Sequence, residues 1–247
     1  MTSDRSSRQQ RAADMKSERE QADRRQRNLI SVAIVAVVVL LIGVAYWGIS
    51  STAEKNKPTG DVVVPQGLVD GGIPFPGPEA AAAADVPVVQ VFEDFFCSHC
   101  GDFEAENGQW LRELAEEGAI DLRFHPYVVT EDPKQPAEVF GTMNAAVCVA
   151  DETPGGIDFW ETKTDFFSRA FYERGNNTDN ASLIGYLGSN ASDNVQECIR
   201  TEKFVPWLVE QTRENSDAGV SSTPTIIVDG TKVPEPTRAA IEAALGS

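Results

Sequence analysis

The chain has 247 residues, enough for one or two domains, and its four cysteines are too few for a disulfide-dense miniature scaffold although they allow two pairs. The net charge of −17 is unevenly spread: eight basic against five acidic side chains in residues 1–28 give +3, which leaves −20 for residues 29–247. So acidic a body argues against nucleic acid and anionic lipid headgroups as partners.

The first element in chain order is Leu29 to Ile49, a run without a charge that is long enough to cross a hydrocarbon core of about 30 Å as a helix. Arg24, Arg25 and Arg27 sit just ahead of it. The positive-inside rule therefore predicts a cytoplasmic tail over 1–28, a transmembrane anchor over 29–49, and everything beyond on the extracytoplasmic side of the cell membrane. A cleaved signal peptide is the alternative, with Ser51-Thr52-Ala53 as a small-residue site, but the lead is long and the apolar run exceeds an ordinary signal core.

Residues 50–85 mix Pro, Gly and small residues with little periodicity and read as a flexible linker, reaching about 33 Å root-mean-square as a coil. From Val86 the texture changes. "VPVVQVFEDFF" has the valine and phenylalanine content of a buried strand, and residues 97–118 place Phe103, Trp110, Leu111 and Leu114 at helical spacing, with Gly118 as the stop. "IDLRFHPYVV" predicts a second strand, about 132–217 a mostly helical section, "GVSSTPTIIVDGTKV" two short strands around Asp229-Gly230, and Thr237 to Leu245 a last helix. The aromatic stripe from Phe159 to Phe171 reads as core, part of which could line a groove, and His125 reads as a structural strand residue. Asn176, Asn180 and Asn190 each begin an Asn-x-Ser/Thr match, a pattern short enough to arise by chance.

This order puts Cys97 near a helix N-terminus and Cys100 in its first turn. Unpaired backbone N–H groups and the helix dipole favour a negative sulfur there, each unit of pKa depression being worth about 1.4 kcal/mol. His99 can add a donor or a positive charge beside that thiolate. A disulfide whose reduced form is stabilised in this way is an oxidant. A metal clamp would use the same Cys97, His99 and Cys100, but a tetrahedral structural site wants a fourth ligand, and the only other histidine is His125. A static staple is disfavoured because so short a loop constrains the unfolded chain little. No metal and no cofactor is expected.

Together, "EDFFCSHC", "NAAVCVADE" with the following "DFW", and "GVSSTPTIIVDG" resemble the DsbA-like thiol-disulfide oxidoreductases, over about two thirds of the chain from Val86. The resemblance implies an α/β, thioredoxin-like fold with an inserted helical domain, the domain spanning 86–247 with the insertion at about 132–217. It implies Cys97 and Cys100 as the redox pair, His99 as thiolate stabiliser, and Thr223 with a cis Pro224 as the loop whose backbone pairs with an extended substrate beside Cys97. Ser98 stands where members of the group commonly have proline, a position that tunes the potential. Glu93 or Asp94 is the candidate buried acid under the site, and two adjacent residues do not reveal which faces inward.

Cys148 and Cys198 form the second pair. Bridged, as in some members of the group, they would close about 51 residues and stabilise by about 4 kcal/mol; otherwise they are two buried thiols. The expected activity is donation of the Cys97–Cys100 disulfide to unfolded exported proteins with free thiols, with a membrane partner of the DsbB or VKOR type reoxidising the pair. Two alternatives stand beside it. One is a reductase or isomerase of the same fold, and the other a tethered metal-binding module using Cys97, His99 and Cys100.

Overall fold

The computed structural model describes residues 62–77, 85–129, 136–154, 157–168 and 178–246. The tail and anchor expected over 1–49 lie outside them; among the described residues no helix is long and apolar enough to cross a membrane. Residues 58–247 form one compact unit.

Its centre is a βαβ passage. Strand β2 (Val88–Glu93) buries Val89 and Val91 and leads into a helical stretch made of α1 (Ser98–Phe103), a π-turn (Glu104–Gly108) and α2 (Gln109–Glu116). Gly118, at φ 71°, ends it, and the chain returns as β3 (Asp121–Pro126), buried along its whole length. β2 and β3 are parallel, with Val89 opposite Leu122 and Val91 opposite Phe124. β2 shows no clean alternation, whereas β3 alternates Asp121, Arg123 and His125 with Leu122 and Phe124 and yet is buried on both faces, so its polar side chains are paired with one another and with Asp70 and Gln90. The helical run expected over 97–118 forms, with a π-helical segment at Glu104–Gly108 in its middle, where the Glu104 carboxylate lies against Gly108. A Cβ on Gly108 would come within 2.6 Å of the Glu104 carboxylate, and Asn107 donates its side-chain N–H to the Phe103 carbonyl.

The stretch expected to be helical carries α3 (Pro136–Glu152), α4 (Ile157–Phe167), α5 (Asn180–Leu187), α6 (Asp193–Arg200) and α7 (Val205–Asp217). Asp179 caps α5 by accepting from the Ser182 N–H, and Ser192 caps α6 by accepting from Val195; such caps contribute about 1 kcal/mol each. β4 (Thr225–Val228) then pairs antiparallel with β2, and β5 (Thr231–Lys232) with β4. Asp229 and Gly230, at φ 47° and 77°, make the two-residue turn between them, and the Asp229 carboxylate accepts from the Val88 N–H at 2.8 Å. Helix α8 (Arg238–Leu245), capped by Thr237, closes the domain.

The linker reading of 50–85 is corrected in part. Ile73–Phe75 is a strand, β1, antiparallel to β3 at the edge of a five-stranded sheet ordered β1-β3-β2-β4-β5. Three residues are too few to show a period, and Gly71, Gly72, Pro74 and Pro76 signal a loop. Only partners distant in sequence reveal it: Asp70 pairs with Arg123 of β3, and Trp160 of α4 donates to the Pro74 carbonyl at 3.4 Å. A proline is tolerated there because the strand is an edge.

Sheet and insertion share one core. Phe95 packs on Phe166 and Phe167 with ring centroids 5.3 and 4.7 Å apart, and Phe124 on Phe159 at 5.6 Å, so the described part of the aromatic stripe is buried. Cys148 of α3 and Cys198 of α6 are joined by a disulfide with Cα atoms 5.9 Å apart. His125 is buried in β3, accepts from the Gln90 side chain at 3.1 Å and stacks on Phe92. Burial holds its pKa down at about 4, so it is neutral and structural.

Candidate active site

The turn between β2 and α1 is tied down by Asp94. Its carboxylate accepts the Phe96 N–H and, across to the segment after β3, the Val129 N–H, both at 2.8 Å. The chain then meets Cys97 in an extended conformation at the N-cap of α1, where its carbonyl accepts from the N–H groups of Cys100 and Gly101. Cys97 is half-buried, Cys100 is fully buried, and both are free thiols.

The two sulfurs are driven apart in acidity. Hydrogen bonding from the Cys100 thiol, then from the Thr223 side chain and the backbone N–H groups of Cys100 and His99, outweighs burial and lowers the Cys97 pKa to about 4. Burial, first, and the donated hydrogen bond push Cys100 far above the ordinary thiol range. When protonated, Cys97 donates instead to the Thr223 carbonyl at 3.5 Å, so the loop before β4 touches the reactive sulfur in either state. The Thr223–Pro224 peptide is cis. His99 and Ser98 are exposed; it is the His99 backbone N–H, more than its imidazole, that the sulfur meets.

The sequence left open which acid lies beneath the pair, and the structure buries both, in different roles. Asp94 spends its oxygens on backbone N–H groups, and burial outweighs them to raise its pKa to about 6. Glu93 is sealed from solvent and points into the core, where Oε2 lies 3.0 Å from Nζ of Lys163. Burial raises its pKa to about 8 despite the lysine, with Glu104 and Cys97 adding to the rise.

Lys163 is the residue that the sequence reading missed. It is fully buried, bridges Glu93 to Glu104 at 2.5 Å, and lies between about 5.1 and 5.3 Å from the ring centres of Phe124, Phe167 and Trp160. Burial alone would lower its pKa, but the two carboxylates outweigh it and hold the ammonium charged. Helical spacing carried the signal: Lys163 stands four residues after Phe159 and three and four before Phe166 and Phe167, on the stripe assigned to the core. Glu104 completes the set, with Arg112 at 3.6 Å on its outer side. Among the described residues no cluster of three His, Cys, Asp or Glu side chains is arranged to hold a metal ion.

A family described as thioredoxin matches residues 80–246. Among solved structures, the reduced form of a disulfide bond oxidoreductase, DsbG, from Mycobacterium tuberculosis is 28% identical; the alignment covers 64% of this chain and 76% of that one, with a TM-score of 0.55. Oxidised DsbA from the same organism is also 28% identical, covering 64% and 81%, with a TM-score of 0.54. MdbA, a thiol-disulfide oxidoreductase from Corynebacterium diphtheriae, shares the fold at 20% identity, covering 76% and 98%, with a TM-score of 0.59. No curated protein matches the sequence significantly. The chain belongs to the thioredoxin family. Within it, the chain is a DsbA-like thiol-disulfide oxidoreductase.

Proposed function

We propose that the chain donates the Cys97–Cys100 disulfide to unfolded exported proteins. A substrate thiolate attacks Cys97, the more accessible sulfur; the S–S bond breaks and Cys100 leaves as a thiolate that takes up a proton. A second substrate thiolate then attacks the substrate sulfur of the mixed disulfide, and Cys97 leaves. Two electrons have passed to the enzyme and one disulfide to the substrate. The reading rests on one observation: Cys97 is held beside Thr223 with a pKa of about 4 while its partner is sealed, so the reduced state is stabilised by an ionised sulfur.

Thr223 would pair its backbone with the substrate segment, and Glu93 would supply or accept the Cys100 proton. The charge-free run at 29–49 would anchor the domain on the extracytoplasmic face, near a membrane reoxidising partner of the DsbB or VKOR type. Refolding of a reduced, denatured disulfide protein tests the reading: the wild type should accelerate it and Cys97→Ala should not, while Cys100→Ala should accumulate mixed disulfides in cells. A reduction potential near that of thioredoxin, about −270 mV, would make the chain a reductase instead.

A further inference from the structure

The second disulfide lies under a cleft of about 470 Å³ whose chemistry the exchange reaction at Cys97 does not use. The two bridged cysteines line it unequally: Cys198 is 8% exposed and Cys148 only 2%. Exchange here would have an incoming thiolate attack the Cys198 sulfur, break the S–S bond and expel Cys148 as a thiolate from a buried stretch near the C-terminal end of α3, where Val147 and Val149 flank it in the chain. A sulfur expelled into such surroundings is a poor leaving group.

The approach is also charged. Asp151 and Glu152 at the C-terminal end of α3 and Glu197 of α6 line the cleft, with Lys203 as its lysine. Lys203 is committed to Asp151 at 2.8 Å, and the other Asp151 oxygen accepts the Gln66 N–H at 2.9 Å. Glu152 accepts from Ser192 at 3.1 Å and from Asn194 at 3.2 Å, hydrogen bonds that fix its carboxylate at the rim. Three carboxylates against one ammonium leave a net charge of −2, and the negative end of the α3 dipole has the same sign.

We propose that this cleft is a charge filter over the Cys148–Cys198 bridge: it turns away thiolates and so keeps the structural disulfide out of the exchange carried on at Cys97. An enzyme that meets substrate thiolates and carries a thiolate of its own needs its second bridge kinetically separate from the first. The cleft supplies that separation by sign of charge, with burial of Cys148 behind it.

The test uses the full chain with Cys97→Ser and Cys100→Ser, so that only the second bridge can exchange, and its result does not depend on whether Cys97 donates or accepts disulfides. Reduction is followed by alkylation and mass with cysteamine, 2-mercaptoethanol and 2-mercaptoethanesulfonate, each rate corrected for thiolate fraction and divided by the rate on the urea-unfolded chain. The cationic thiol should outpace the anionic one about tenfold at low ionic strength, and the preference should shrink several-fold at about 0.5 M salt. Glu152→Gln with Glu197→Gln should shrink it at low salt, and Glu197→Lys, which changes the net charge by the same amount, should do so comparably. Equal rates for the three thiols, or no reduction by any of them until the chain unfolds, would overturn the filter and leave burial as the sole protection.

Discussion

The acidity of one sulfur is set by few atoms, and each can be removed. Thr223→Val deletes one hydrogen bond to the Cys97 thiolate and should raise its pKa, read from thiolate absorbance near 240 nm against pH; an unchanged midpoint would show that Thr223 acts on substrate alone. Because the folded pKa is depressed from 9.0 to about 4, the stabilisation of the reduced state is complete above pH 9, declines as pH falls, and is gone below about 4. Between those limits reduction takes up one proton for two electrons. The potential should therefore fall by about 30 mV per pH unit, half the slope found where both thiols are protonated. Glu93 has the opposite sign. Its pKa is raised from 4.5 to about 8, so the folded state holds a proton that the unfolded chain releases, and stability should fall as pH rises between those values. Urea midpoints at pH 5 and 8 should separate less in Glu93→Gln than in the wild type. Cys97 was legible in the sequence because a helix start acts on its neighbours in the chain. The assignment of Glu93 was not, since its partner Lys163 stands 70 positions away.

At the scale of elements, the π-turn is the feature on which the buried charges depend. Only a glycine at 108 leaves room for the Glu104 carboxylate to lie back toward Lys163, since a Cβ would approach it to 2.6 Å. Gly108→Ala should cost about 1–3 kcal/mol as the carboxylate is displaced, measurable as a shift of the urea midpoint. Lys163→Met should cost more, about 3–5 kcal/mol, because it removes the ammonium between the buried Glu93 and Glu104 side chains and leaves both without that partner. A smaller loss in Lys163→Met than in Gly108→Ala would mean that the ammonium contributes little. The strands and helices with strong local patterns were readable: valine-rich β2, the Asp229-Gly230 hairpin, the capped α8. β1 was not, because a strand of three residues between prolines carries no pattern and exists only by pairing with β3.

For the whole molecule, the Cys148–Cys198 bridge joins two helices of the insertion, and Lys163 with the aromatic cluster joins the insertion to the sheet. Cys148→Ser with Cys198→Ser should lower the unfolding free energy by about 2–5 kcal/mol while leaving disulfide transfer by Cys97 measurable; loss of transfer in a folded variant would show that the bridge also shapes the active site. The sequence by itself determined what depends on neighbours along the chain. It carried the βαβ passage, a cysteine at a helix start, the Thr-Pro turn ahead of a strand, and the uneven charge, because capping, turn chemistry and hydrophobic texture act over a few residues. Only the tertiary structure decided that both Glu93 and Asp94 are buried, that a lysine from the insertion meets Glu93, and that residues 73–75 close the sheet edge. Burial and charge pairing between segments far apart in the chain leave no local mark until the chain has brought them together.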